Sequence, residues 1–403
     1  MIPLRLQALV LFGAGLLASL FFCLAVFPLL GETTSGIDPD GYGNAGQVLY
    51  TTGRFPAVDK APLYPAFIAF VATLTSGHRL WTVQLAQCLL WGLTVVLLYA
   101  VFRRTMTEDS RMAFFASLIC AIYPIGLWYT PRLWTETFLT FGIALYTLAL
   151  VALLQEPGAL RAILCGLAAG FVALSKGIGL VFFPITLAAL WIVCRSGFWR
   201  WAVLVSLAAL LWIAPWTWRN WKLTGAVIPI HLDSGYNFYL GNGFARHWRQ
   251  APFSYVELKA LSLQDLQRDH PELAASTAAV QCDRALLRVA LLELIDEPML
   301  IPRKLLIQSL TFWYLAADLP KSVLTGVLEL PVLLLAVAGA WRGWRARSWV
   351  LSLLVPVLGV MGVSVMVFAF ARLSATILPY CLGLGVYGIW PWAVRRLTHL
   401  TPE

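Results

Sequence analysis

Charge is what this sequence has least of. Asp, Glu, Lys and Arg make up 12% of its 403 residues, about half the share found in a soluble domain, and that scarcity excludes an ordinary soluble fold. Cysteine chemistry is also missing. Of seven cysteines, Cys23, Cys88, Cys120, Cys165, Cys194 and Cys381 lie in apolar segments and only Cys282 in a polar one. No CxxC or Cys/His spacing occurs, so neither a disulfide framework nor a zinc site is supported. The apolar runs are continuous rather than alternating, which excludes a membrane β-barrel. There is no internal repeat and no low-complexity linker. A net charge of +9 would suit a nucleic-acid partner, but the cations are scattered as small Arg clusters between apolar runs, and no nucleic acid is expected.

What is present is a series of apolar runs long enough to cross a bilayer, the mark of an all-α polytopic membrane protein. Ten spans are expected, at about 7–30, 80–102, 112–128, 134–154, 162–174, 179–194, 201–218, 322–340, 349–370 and 374–393. The first is too long for a signal-peptide core and reads as an uncleaved span. Arg5, Arg103, Arg104 and the Arg342–Arg347 cluster then fall on the cytoplasmic side together with both termini. Two loops face outside. One, 31–79, contains a short apolar segment, 62–76, expected to be interfacial or re-entrant. The other, 219–321, is polar over 219–302 and ends in a basic, apolar-striped stretch, 303–317, expected to lie on the outer surface. The chain reads as one membrane domain, 1–403.

The first loop is the densest in chemistry. GIDPDGYGNAGQVLYTTGRFPAVDKAPLYP, 36–65, holds Asp38, Asp40, Asp59 and Lys60. Asp38 and Tyr42 are four apart, as are Lys60 and Tyr64, so each pair can share a helix face. An Asp beside the membrane can take a proton from an attacking hydroxyl; Asp38-Pro39-Asp40-Gly41 equally reads as a turn capping a helix. Lys60 beside Asp59 is either a solvated pair or a partner for phosphate. Glu136 opens the fourth span, where the helix dipole favours an acid and where ionisable groups are also functional candidates. Lys176, in ALSKGIGL between two short spans, suits an anion or snorkels to headgroups. Arg372 carries the same two readings. Glu329, inside a span, has no assigned role. Most of the 18 Trp sit at span ends, as an aromatic belt requires.

Taken in order, these stretches resemble the GT-C glycosyltransferases of the protein O-mannosyltransferase and aminoarabinose transferase type. The resemblance rests on Asp38…Tyr42, AGQVLYTTGRF, Asp59-Lys60-Ala61-Pro62, Glu136, Lys176-Gly177, PWTWRNWKLTGAVIPIHLDSGYNFYLGNG and Arg372…Pro379. The mannosyltransferases' Asp-Glu pair is Asp38-Pro39 here. The resemblance implies a bacterial inner-membrane enzyme that transfers a sugar from a polyprenyl-phosphate donor to an acceptor hydroxyl at the periplasmic face, with inversion. The acceptor would be a lipid-linked glycan, a lipid or a protein, and membrane lipids would surround the chain. Asp38 would be the base and Asp40 the runner-up. Lys60, Lys176 and Arg372 would neutralise the leaving phosphate. Asp59, Tyr42, Tyr64, Glu136, Arg219, Asn237 and Asn242 would position sugar and acceptor. No cofactor or metal is required, although Asp38 and Asp40 could hold a divalent ion. Two alternatives stand beside it. A lipid-linked glycan flippase should carry polar groups at mid-membrane depth. An O-antigen polymerase or ligase would use His231, His247 and His270.

Overall fold

A computed structural model of the chain describes residues 3–31, 37–55, 58–77, 79–276 and 279–398, which are helices and connecting loops throughout. Helix α1 is Leu4–Phe21, continued by tighter and wider turns to Leu30, where Gly31 ends it. In the first loop lie α2 (Tyr42–Thr52) and α3 (Leu63–Leu74). Then come α4 (Leu80–Thr105), α5 (Ser110–Ile122), α6 (Pro124–Trp128), α7 (Glu136–Gln155), α8 (Ala159–Ser175), α9 (Phe182–Val193) and α10 (Phe198–Thr224). The second loop folds into α11 (Ser234–His247), α12 (Tyr255–Asp269), α13 (Pro271–Ala274), α14 (Ala279–Asp296) and α15 (Leu300–Tyr314). The chain closes with α16 (Leu319–Arg345), α17 (Leu354–Val367), α18 (Ala371–Ser374) and α19 (Leu378–Thr398).

Among the described residues six helices are long and apolar enough to cross a membrane: Leu4–Leu30, Leu80–Thr105, Glu136–Gln155, Phe198–Thr224, Leu319–Arg345 and Trp349–Val367. The chain is a multi-pass membrane protein. The expected third, fifth and sixth spans appear as shorter apolar helices, below the roughly 20 residues that match the bilayer core. The third is broken at Tyr123, because Pro124 cannot continue the helix behind it. The expected ninth span stops at Val367 rather than 370, and Phe368 and Phe370 are extended. The expected interfacial helix is α3, and its 12 residues rise only about 18 Å. The basic stretch 303–317 lies mostly within α15.

Close approach of backbones builds the bundle. At Gly339 an added Cβ would sit 1.8 Å from the Leu384 carbonyl oxygen of α19, and at Gly166 of α8 it would sit 2.3 Å from the Val205 oxygen of α10. Small residues at such crossings let dispersion contacts hold helices where the hydrophobic effect is absent. A separate cluster of Tyr42, Tyr64, Ile68, Val71, Val83, Leu90, Leu133 and Phe138 seats the first loop on α4 and α7. Gln87, fully buried on α4, locks it further. Its Oε1 accepts from the Tyr64 hydroxyl at 2.9 Å, and its Nε2 donates to the carbonyls of Thr130 and Arg132 at 3.0 and 2.7 Å.

Two glycine substitutions should separate on thermal unfolding in detergent. Gly339→Ala forces α16 away from α19 and should lower the midpoint. Gly362→Ala, where an added Cβ meets nothing within 4 Å, should leave it unchanged or raise it, since Ala is the better helix former by about 1 kcal/mol.

Candidate active site

The first turn of the loop is the one its residues dictate. Gly41 N–H donates to the Asp38 carbonyl at 3.2 Å, and Gly41 adopts φ +69°, a left-handed conformation that favours glycine. The Asp38 carboxylate then caps α2: Oδ2 accepts from the Gly43 and Asn44 amides at 2.9 and 3.4 Å. Its other oxygen, Oδ1, is buried without a partner. Burial pushes the Asp38 carboxyl above its ordinary range, against the opposing pull of those amides.

The turn places Asp40 on a chain of charges. Asp40 Oδ2 lies 2.6 Å from Arg372 Nη2, Arg372 Nε donates to Glu136 Oε1 at 2.6 Å, and Lys176 Nζ donates to the same oxygen at 3.0 Å. Glu136, at the first turn of α7, is 1% exposed, whereas Asp40 is 39% exposed. The chain therefore runs from the core to an open face. Burial alone would raise Asp40, but the Arg372 guanidinium, with Lys176 and Lys60 beyond it, holds its carboxyl below the usual value. Arg372 also lies 4.3 Å over the Trp134 ring, a favourable cation–π geometry. Trp134 Nε1 and Glu136 Oε2 are buried without partners. With Asp38 Oδ1 they leave one donor and two acceptors uncommitted around the four charges.

Each cation is delivered by a local feature. Lys176 caps α8 in extended conformation, and Gly177 N–H donates to His231 Nε2 at 3.1 Å. An added Cβ at Gly177 would stand 2.8 Å from that nitrogen, so glycine is needed for the contact. His231 Nδ1 is 2.9 Å from Asp233 Oδ1. Arg372 is carried by the break between α17 and α19.

Other expected residues sit nearby or apart. Lys60 pairs with Asp59 at 3.0 Å and lies 5.5 Å over the Tyr42 ring. Both Asp59 and Lys60 line an open cavity of about 270 Å³ with Gly41, Asn44, Ala45, Phe55 and Pro65. Tyr42 meets Tyr64 edge to face at 5.5 Å, and the Tyr64 hydroxyl is committed to Gln87. Arg219 ties the first loop to α10, donating to the Phe55 carbonyl at 3.0 Å. Asn237 N–H bonds the Asp233 carbonyl at the start of α11. Asn242 is held elsewhere: it donates to Ala290 O and Glu293 Oε2 and accepts from Lys304 Nζ. The sequence reading passed over Trp134, Gln87 and the His231–Asp233 contact. For Trp134 and Gln87 the available signal was the polar, aromatic stretch YTPRLWTE, whose carbonyls Gln87 meets.

Residues 59–218 match the family described as dolichyl-phosphate-mannose-protein mannosyltransferase. The match takes in Lys60, Glu136 and Lys176 and stops short of Asp38, Asp40 and Arg372. No curated protein matches the chain. Among solved structures, the chain is similar to the oligosaccharyltransferase AglB from Archaeoglobus fulgidus, in complex with an inhibitory peptide and a dolichol-phosphate. The TM-score is 0.61 at 13% identity, over 98% of this chain and 52% of that one. A second structure of that organism's oligosaccharyltransferase, tethered to an acceptor peptide, gives 0.60 at 14% identity, over 98% and 50%. The chain has the GT-C glycosyltransferase fold. ArnT from Cupriavidus metallidurans bound to undecaprenyl phosphate is also similar, at 19% identity over 98% of this chain and 81% of that one, with a TM-score of 0.43. The chain spans about half the length of the two oligosaccharyltransferase chains it matches.

Removing the shared carboxylate should unsettle both cations. Glu136→Gln should cost about 3 kcal/mol, as expected for a buried ion pair that loses one partner. A Glu136→Gln/Lys176→Gln pair should cost less than the sum of the single changes, read by thermal unfolding.

Proposed function

We propose that this chain is a membrane glycosyltransferase that moves a sugar from a polyprenyl-phosphate donor to an acceptor hydroxyl at the periplasmic face of the bacterial inner membrane. The observation that carries the reading is the Asp40–Arg372–Glu136–Lys176 chain, beside an Asp38 oxygen with no partner. The family match and the GT-C fold support the same chemistry. The dolichol-phosphate of the similar AglB structure supports a polyprenyl-phosphate donor.

In this reading Asp38 Oδ1 accepts the proton of the acceptor hydroxyl. The acceptor oxygen attacks the anomeric carbon from the face opposite the phosphate, and the sugar–phosphate bond breaks. The lipid phosphate leaves with the electron pair and the configuration inverts. Arg372 has five N–H donors and Lys176 three, so both can bind phosphate while remaining attached to Glu136. Their charge is aimed where negative charge develops, the most effective use of a fixed dipole or ion. Glu136 holds the two cations in place, and Asp40 fixes the far side of the guanidinium. Lys60 can leave its exposed partner Asp59 to meet the phosphate from the open face. The cavity beside it, with Phe55, Asn44 and Asp59, offers a flat apolar surface and polar groups suited to a sugar ring.

Asp38→Asn should lower transfer from an undecaprenyl-phosphate sugar by about 10²–10⁴-fold while leaving undecaprenyl phosphate binding intact. Full turnover in that variant would remove Asp38 as the base. Because the base must be ionised and burial raises its pKa, wild-type kcat should fall on acidification through a value above the ordinary Asp range, near ~3.9. Asp40→Asn removes a negative charge that helps to raise Asp38, so it should shift that acid limb to lower pH without abolishing it.

A further inference from the structure

Glu329 on α16 is fully buried and takes no part in the charge chain. One of its oxygens, Oε1, is 2.9 Å from Ser374 Oγ, and the other, Oε2, is buried without a partner. Ser374 Oγ is also 2.7 Å from the Ala371 carbonyl oxygen. A hydroxyl has one hydrogen, and a carbonyl cannot donate. The shorter contact is the one to Ala371; with the Ser374 proton there, the Glu329–Ser374 contact takes its proton from the carboxyl. An ionised Glu329 would break this pattern and leave a buried charge with no cation among the described ion pairs, at a large desolvation cost.

The tie lies under Arg372. Residues 368–374 are extended and then make a single turn, α18, between two spans. On one side this segment is stitched to α15. Ala369 N–H donates to Gln308 Oε1, Thr311 Oγ1 donates to the Ala369 carbonyl at 3.3 Å, and Ala371 N–H donates to the Leu315 carbonyl at 2.9 Å. On the α16 side the side-chain tie is Glu329–Ser374. Tyr123 anchors the same stretch of α16 by donating to the Leu328 carbonyl at 2.6 Å.

We infer that Glu329 is a positioning residue acting as a neutral carboxylic acid: it donates to Ser374, Ser374 donates to Ala371, and this relay fixes the turn that presents Arg372. Its importance to catalysis rests on the reading of Arg372 as a phosphate partner, but the relay itself does not.

The test uses the full chain in lipid nanodiscs, with Glu329→Gln, Glu329→Leu and Ser374→Ala. Infrared spectroscopy of the wild type should contain a carboxylic-acid carbonyl stretch that Glu329→Gln removes; an unchanged spectrum overturns the neutral acid. Modification of Arg372 by phenylglyoxal, followed by mass spectrometry, reads its position. Glu329→Gln keeps a donor for Ser374 and should react at the wild-type rate. Glu329→Leu should react several-fold faster, with Ser374→Ala moving the same way should the Leu variant not fold. Equal acceleration by Gln and Leu, or by neither Leu nor Ala, overturns the relay. Undecaprenyl phosphate binding is followed in parallel. Its absence from wild type would count against the proposed function, while the two other readouts still judge Glu329.

Discussion

A single buried carboxylate organises this molecule. Glu136 Oε1 receives Lys176 at 3.0 Å and Arg372 at 2.6 Å, from positions 40 and 236 residues away in the chain. Neither cation would be stable at such burial alone, nor would the carboxylate, since an unpaired charge taken out of water costs many kcal/mol. Together, with Asp40, they form two negative and two positive groups. Neutrality is what allows such a cluster to sit against apolar helices. It also explains why three separate interruptions of the helical spans converge at one point: the first turn of α7, the end of α8 and the break before α19.

The loops are held to this cluster by hydrogen bonds, all but that of Arg219 between neutral groups. Gln87 takes up the Tyr64 hydroxyl and two carbonyls of 130–132. Leu133 N–H bonds the Ile37 carbonyl at 2.9 Å, and Leu232 N–H bonds the Val58 carbonyl at 2.9 Å. Arg219 holds Phe55. The first loop is thus pinned to α4, to the 130–135 connection, to α10 and to the second loop. In an apolar bundle these ties have few competitors, so backbone groups of a long connection find partners that water would otherwise supply. The described parts of the loop are thus tied at several points, a condition for holding reacting groups in register.

The long spans were legible because uninterrupted apolar runs have one physical explanation. Shorter spans were less so: Pro124 and the extended Phe368–Phe370 segment break helices whose composition looks continuous. The charged residues of the site stood out individually, because in a chain this poor in charge Glu136, Lys176 and Arg372 have few neighbours to confuse them. Their partners did not stand out. Pairing depends on which helices cross, and glycines such as Gly166 and Gly339, which set the crossings, carry no label of their partner. The turn at Asp38–Gly41 was readable from residue type alone, and the structure contains the cap. Lys60 shows the opposite limit, since its grouping with Lys176 and Arg372 came from the family resemblance, whereas its observed ion pair is with its sequence neighbour Asp59. Trp134 was absorbed into the aromatic belt, and only its approach to Arg372 separates it from the others.

Two aspartates two residues apart are driven in opposite directions by their surroundings. Asp40 faces Arg372, which outweighs its burial and keeps it ionised. Asp38 is half-buried, one oxygen committed to its own helix cap and the other buried with no cation beside it among the described ion pairs, and is pushed up. A carboxylate stabilised by a guanidinium is a weak proton acceptor, because accepting a proton would cost it that partner. A carboxylate destabilised by burial gains from protonation. Paired acids whose environments separate their pKa values in this way mark a division of roles. The asymmetry favours Asp38 for the base and Asp40 for holding the cation, and it arises from the partners each carboxylate meets from its own position in one four-residue turn.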